Sequence, residues 1–226
     1  MSFQNLHKVM KNKLVIKWFL SRTGIWPYLE IARWFPAYLR WLRDGSCGSA
    51  PPPIKRIVIS AYLRRFQLQR FVETGTHHGD TLAIVANDPR NQCTSIELSP
   101  LYAQRARLCF GKYPNVNILE GDSGLLMPQV VKALDKPCLF WLDGHYSAGD
   151  TAKGQKNTPI SQELAAVFAS PIQGHVVLVD DIRLFNGTHD YPFLDALLQS
   201  VRETGCYNIE ISLDIARFTP CKPAAF

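Results

Sequence analysis

A doubly wound, mostly parallel α/β sheet is the fold this sequence predicts, and three observations predict it. Short apolar runs recur from about residue 56, separated by helix-like stretches. Acidic residues close four of those runs or lie just past them: Glu73, Glu97, Asp122 and Asp143. The first run passes through the glycine-bearing turn Thr74-Gly75-Thr76-His77-His78-Gly79 into a further helix-like segment. Regular βα alternation implies parallel strands joined by helices that cover both faces of the sheet.

The elements follow in chain order. Residues 1–55 precede the alternation as a basic, aromatic-rich helical arm and a proline-rich linker. Trp18, Trp26, Trp34 and Trp41 lie there among Lys11, Lys13, Lys17, Arg33, Arg40 and Arg43. Trp34, Leu39-Arg40 and Leu42-Arg43 predict an amphipathic helix after Pro36. Gly45–Pro53, ending in three prolines, reads as a semi-rigid linker. The second domain, 56–226, carries strands at Phe71–Thr74, Thr94–Leu98, Val116–Glu120, Leu139–Asp143 and Val176–Asp180. The run Val176-Val177-Leu178-Val179 suits a central strand covered on both faces. Helices are expected at Thr81–Asn87, Pro100–Tyr113, Gly124–Leu134, Ser161–Ala169 and Tyr191–Glu203. Ser99 is the expected N-cap before Pro100, and Tyr207–Thr219 reads as a terminal antiparallel hairpin turning near Asp214.

Composition narrows the function classes. The chain has 226 residues, 46% of them hydrophobic, enough for one substantial core. Its net charge of +6 is uneven: residues 1–56 hold ten Lys/Arg against two acids, and the remainder fifteen against seventeen. The body is near neutral, which argues against a nucleic-acid partner. The arm suits either an anionic membrane surface or packing on the body or on a second subunit of a homo-oligomer. Cys47, Cys93, Cys109, Cys138, Cys206 and Cys221 form no C-x-x-C pair, and several sit inside apolar runs, as small hydrophobes of a reducing compartment do. No run approaches the roughly 18 apolar residues of a membrane span. The expected location is cytoplasmic, with the arm allowing peripheral contact with the inner membrane face.

The turn has G-x-x-x-G spacing, not the G-x-G-x-x-G of dinucleotide-binding folds. Glu97 follows Gly75 by about 22 residues, where an acid that binds ribose hydroxyls belongs. With these features the chain resembles class I S-adenosylmethionine-dependent methyltransferases, a Rossmann-like fold, over roughly residues 56–220. The resemblance places Glu73, Thr74, Gly75, Thr76, Gly79, Thr81, Glu97, Asp122, Ser123 and Asp143 against the cofactor. Gly121-Asp122-Ser123 resembles the adenine-contacting turn of that family; Asp122 as an N-cap of the following helix is an equal alternative.

Two later motifs, Leu139-Phe140-Trp141-Leu142-Asp143-Gly144-His145 and Val177-Leu178-Val179-Asp180-Asp181, resemble those of the metal-dependent, macrocin-type sugar O-methyltransferases. That resemblance implies magnesium held by Asp143, Asp180 and Asp181, and a glycan or glycosylated small molecule as acceptor. Converging carboxylates repel one another, and a hard divalent cation relieves that. The alternative reading has Asp181 capping the next segment and Asp180 bonding a loop. His145 stands where the family's D-G-D motif has its second Asp, and an imidazole can take a hydroxyl proton at neutral pH. Asp143 and His145 are therefore the expected catalytic pair. Residues 144–158, with Lys153 and Lys156, read as a lid or acceptor loop; His77 and His78 shape the turn, and His175 is structural. Two other classes stay open: a nucleotide- or NAD-dependent α/β enzyme, and a non-catalytic membrane- or complex-associated binding protein.

Overall fold

The computed structural model describes residues 26–46, 48–144 and 158–221. The chain divides into two compact units, Met1–Lys55 and Arg56–Phe226. In the first, helix α1 spans Trp26–Arg43 with Pro36 inside it. The expected helix was to begin after Pro36; the observed one starts ten residues before it and accepts the loss of one main-chain hydrogen bond. Phe35, Leu39 and Leu42 form an exposed row at helical spacing. The three prolines also behave differently from a linker. Pro52 and Pro53 open helix α2, Pro52–Arg65, because the first helical turn needs no amide donor and proline's fixed φ is already helical.

The second unit is built on a seven-stranded sheet. Its strands are β1 (Arg70–Thr74), β2 (Gln92–Glu97), β3 (Val116–Glu120), β4 (Cys138–Leu142), β5 (Val176–Val179), β6 (Tyr207–Ser212) and β7 (Ile215–Pro220). Their order is β3-β2-β1-β4-β5-β7-β6. The first five run parallel, and β7 pairs antiparallel with both β5 and β6. This is the mostly parallel, Rossmann-like sheet with a C-terminal hairpin that the sequence predicts. Helices α3 (Asp80–Ala86), α4 (Pro100–Phe110), α5 (Ser123–Lys132), α6 (Ile160–Phe168) and α7 (Leu194–Glu203) complete the unit.

Strand β4 shows why apolar runs make central strands. Phe140 and Leu142 join the core cluster packed with α5, α6 and α7 residues. Leu139 and Trp141 join a second cluster with Ile59, Leu82 and Phe110 on the other face. Each such side chain contributes about 1.5–3 kcal/mol by leaving water. Helix α4 divides as its spacing requires: Tyr102 and Ala106 are buried, while Leu101 and Leu108 are exposed. The sheet order reverses direction between β1 and β4, and ligands of open α/β sheets bind at the carboxyl edge of such a switch point.

Candidate functional site

The tips of the parallel strands bring the predicted acids to one edge. Glu97 and Glu120 are register partners, and Thr74 pairs with both Ile96 and Leu142. The ladder runs one residue further, with amides of Gly75 and Asp180 donating to the carbonyls of Ile96 and Leu142 at 2.9 and 3.1 Å. Gly75 therefore lies against Asp143: a Cβ placed on it would stand 2.8 Å from the Asp143 carbonyl oxygen, and its φ is +83°. Only glycine meets both conditions. His77 (φ +47°) and Gly79 (φ +72°) continue the left-handed turn.

Glu97 is held at the turn. Its Oε2 accepts from the His77 amide at 2.7 Å and its Oε1 from the Ser99 amide at 2.9 Å. Each oxygen keeps a second lone pair for a ligand hydroxyl. Ser99, expected to cap α4 with its hydroxyl, makes no such side-chain bond; its amide instead fixes Glu97. The His77 and His78 rings lie 3.9 Å apart, tilted by 46°, beside Tyr102.

Glu73 and Thr74 support this edge from beneath. Glu73 is 1% exposed, and its Oε1 accepts from Ser95 Oγ at 2.7 Å, which in turn meets Thr76 Oγ1 at 2.5 Å. Burial raises its carboxyl pKa to about 8, with Ser95 opposing and the nearby Asp143 and Glu97 charges adding to the rise. Thr74 Oγ1 accepts the amides of Asp143 and Gly144 at 3.2 and 3.1 Å. Thr74 thereby fixes the backbone of the site, while Thr81 sits in the first turn of α3 and Ser123 opens α5. Asp122 takes its capping role, with Oδ1 accepting from the Gly124 amide at 2.9 Å.

Asp143, Asp180 and Asp181 converge: each offers a carboxylate oxygen, and these oxygens lie within 4.8 Å of one another. Asp180 Oδ1 also accepts from the Asp181 amide at 2.8 Å. Asp181 occupies the cap position before the single 3₁₀ turn Ile182–Leu184, at φ +55°, but makes no side-chain cap bond. Its Oδ1 is instead bonded by Arg183 Nη1 at 2.7 Å, and Arg183 also pairs with Asp214. The capping alternative for Asp181 is thus set aside, whereas the local bond expected for Asp180 is present. A left-handed backbone at a non-glycine residue stores strain of the kind found at functional sites. His145, Lys153 and Lys156 lie outside the described residues.

Two buried residues escaped the sequence reading. Glu163, in the first turn of α6, is 1% exposed, and its Oε1 has no hydrogen-bond partner. Burial raises its pKa to about 7, opposed by hydrogen bonds from Ser123 and Thr74. The Tyr191 hydroxyl is likewise buried without a partner, its acidity suppressed by burial and by the charges of Asp181 and Asp143. Their signal was an acid and a phenol at otherwise apolar positions, which only packing distinguishes from surface residues. His175 is structural as expected: Nδ1 accepts from the Cys138 amide at 3.0 Å, Nε2 meets Ser170 Oγ at 2.8 Å, and burial lowers its pKa to about 4. A cleft of about 740 Å³ at the opposite edge of β1–β3 holds no comparable set of acids. Its Arg70 and Asp135 pair with each other at 2.8 Å, and burial pushes its Cys93 thiol up to about 12.

No family model and no curated protein matches the chain. Solved structures do match its fold. The O-methyltransferase TomG from Streptomyces achromogenes, involved in tomaymycin synthesis and bound to S-adenosylmethionine, is 16% identical, covering 76% of this chain and 81% of that one, with a TM-score of 0.54. An O-methyltransferase from Bacillus cereus in complex with S-adenosylhomocysteine is 12% identical over 81% and 89% of the two chains, with a TM-score of 0.55. Cofactor-bound Rv0187 from MTB is 16% identical over 82% and 89%, at 0.53. At such identities the likeness establishes the shared fold.

Proposed function

We propose that this chain is an S-adenosylmethionine-dependent O-methyltransferase whose acceptor is a hydroxyl of a sugar or glycosylated molecule. One observation carries the reading: Glu97, Asp143, Asp180 and Asp181 gather at the carboxyl edge of a parallel sheet, beside a turn whose backbone only glycine allows. The solved structures of this fold include methyltransferases holding S-adenosylmethionine or its product, which favours that cofactor over NAD, as does the G-x-x-x-G spacing.

The residues fit the cofactor. Glu97 faces the turn with both oxygens oriented by backbone amides, as acceptance of two ribose hydroxyls requires. The close approach of Gly75 to Asp143 leaves the backbone uncovered by a side chain. A buried acceptor oxygen of Glu163 awaits a donor. The three aspartates fit a hard divalent cation such as magnesium, being all-oxygen donors within mutual reach; the Arg183 bond to Asp181 must be shared or released.

Bound at this edge, the sulfonium supplies an already activated methyl group, and a cation would make the acceptor hydroxyl more acidic. The chain's own task is to place the acceptor oxygen in line with that methyl and remove its proton. Asp143, Asp180 and Asp181 would orient the acceptor through the cation they hold, and His145, two residues beyond Asp143 in the sequence, would take the hydroxyl proton. Thr74 holds the backbone of Asp143 and Gly144.

Calorimetric titration of S-adenosylhomocysteine into the full chain and into Glu97→Ala tests the cofactor assignment. A loss on the order of 10- to 100-fold is expected; equal affinity removes Glu97 from the site. Titration of Mn²⁺ into wild type and Asp180→Asn tests the cation site, and undiminished binding by the variant rejects it. A second reading concerns the arm. The exposed row Phe35, Leu39 and Leu42, with Arg33, Arg40 and Arg43 on the same helix, suits an anionic membrane surface.

A further inference from the structure

We infer that Cys206 and Cys221 form a reversible dithiol–disulfide site at the open end of the C-terminal hairpin, with a low-molecular-weight disulfide such as oxidised glutathione as its oxidant. The register of the hairpin places them. Strands β6 and β7 turn through Leu213 and Asp214, at φ +58° and +62°. A two-residue loop with both residues left-handed fixes the pairing of the strands behind it. The pairs run from Ser212 with Ile215 back to Tyr207 with Pro220. One further main-chain bond extends the ladder, the Cys221 amide donating to the Cys206 carbonyl at 2.8 Å. The two cysteines are therefore cross-strand partners, with side chains on the same face of the hairpin. The Cα atoms of such a hydrogen-bonded pair stand about 5.5 Å apart, inside the range that a disulfide spans.

Accessibility singles out the same two residues. Among the described cysteines, Cys206 and Cys221 are exposed, Cys109 is half-buried, and Cys93 and Cys138 are buried. Burial pushes the Cys93 thiol up to about 12 and raises that of Cys138 as well, so neither offers the thiolate that exchange requires. The Cys206 amide turns to Thr204 Oγ1, and its Sγ donates to the Thr204 carbonyl, both at 3.1 Å. The pair thus lacks the second ladder bond that would hold its spacing, and oxidation gives up one weak hydrogen bond. In the reaction, the Cys206 thiolate attacks one sulfur of the oxidant, forming a mixed disulfide and expelling one glutathione thiolate. The Cys221 thiolate then attacks the Cys206 sulfur, forming the Cys206–Cys221 bond and expelling the second. Two electrons pass to the oxidant, and the two thiol protons go to the released glutathiones. The link closes a loop of about 15 residues and ties β6, the outer strand of the sheet, to β7. It lies at the end of the sheet away from the acids, because the start of β7, at Ala216, pairs with Val179 at the tip of β5. The site therefore stands apart from the methyltransferase reading.

The test equilibrates the full chain with reduced and oxidised glutathione in set ratios, folded and in urea, then quenches it and digests it with trypsin without reductant. Cleavage after Arg202 and Arg217 puts the cysteines on separate peptides, 203–217 and 218–226. Mass spectrometry then reads the disulfide as the two peptides joined, less two hydrogens. The joined mass is expected to predominate in the folded chain. Half-oxidation should come at a value of [GSH]²/[GSSG] at least about tenfold higher than in urea, because the hairpin raises the effective concentration of one thiol at the other. Cys221→Ser should abolish the joined mass and leave Cys206 as a mixed disulfide with glutathione. Separate glutathione-bearing peptides from wild type, links between chains, or a joined mass no more favoured in the folded chain than in urea would each overturn the inference. So would a Cys221→Ser chain that loses two hydrogens as wild type does, since another pair of cysteines would then carry the bond.

Discussion

Replacing Glu73 by glutamine should make the protein more stable at neutral pH, although the residue ends the strand that leads into the glycine turn. The Glu73 carboxyl is fully buried, with a pKa raised from 4.5 to about 8 by burial first, against the Ser95 hydrogen bond and with help from Asp143 and Glu97. An acid whose folded pKa is raised keeps a proton that the unfolded chain releases. Its stabilisation is complete below pH 4.5 and declines as pH rises towards 8. The slope is about 1.4 kcal/mol per pH unit, so native Glu73 forfeits under about 1 kcal/mol at pH 5 and about 4 kcal/mol at pH 7.5. Glutamine carries no such dependence and still accepts the Ser95 hydroxyl. Urea unfolding from pH 5 to 8 should show Glu73→Gln drawing ahead of wild type across that range. It should retain a shallower decline up to pH 7 from Glu163, which titrates in the same direction. Parallel stability curves for the two proteins would show that the carboxyl is not held proton-bound beneath the turn, and the argument would fail.

Three further outcomes follow from the same contacts. Gly75→Ala must place a Cβ 2.8 Å from the Asp143 carbonyl at φ +83°; it should lose roughly 2 kcal/mol or more in thermal unfolding and abolish calorimetric binding of S-adenosylhomocysteine. Thr74→Val keeps the shape but strips the acceptor from the amides of Asp143 and Gly144, costing about 2–4 kcal/mol and weakening Mn²⁺ binding; an unaltered metal affinity would show that Thr74 does not position Asp143. Leu39→Glu with Leu42→Glu should release the full chain from vesicles rich in anionic lipid in co-sedimentation, and undiminished binding would reject membrane docking through α1.

Much of this architecture was legible because it is local or periodic. β3 begins and ends where its apolar run does, and the remaining sheet strands shift by at most two residues at either end, since a short apolar run marks a strand of the sheet directly. The gathering of Glu97, Asp143, Asp180 and Asp181 was legible for a topological reason: parallel strands joined by right-handed crossovers must present their carboxyl ends at one edge. Helix α2 was not, because three prolines suggest extended chain unless the residues after them find a core, as Ile59, Tyr62 and Leu63 do.

The sequence by itself determined the parallel sheet, its antiparallel hairpin and the edge where the acids meet, because apolar period and glycine spacing are properties of the chain alone. Tertiary structure decided which of those acids stay open to a ligand. Asp122 spends one of its two oxygens on a helix cap, Glu73 is sealed beneath the turn, Asp181 is shared with Arg183, and Glu163 is left with an unmatched oxygen. A carboxylate's role depends on which donors reach it and how much water it has lost. Both are fixed by residues far away in sequence, so no local pattern carries them.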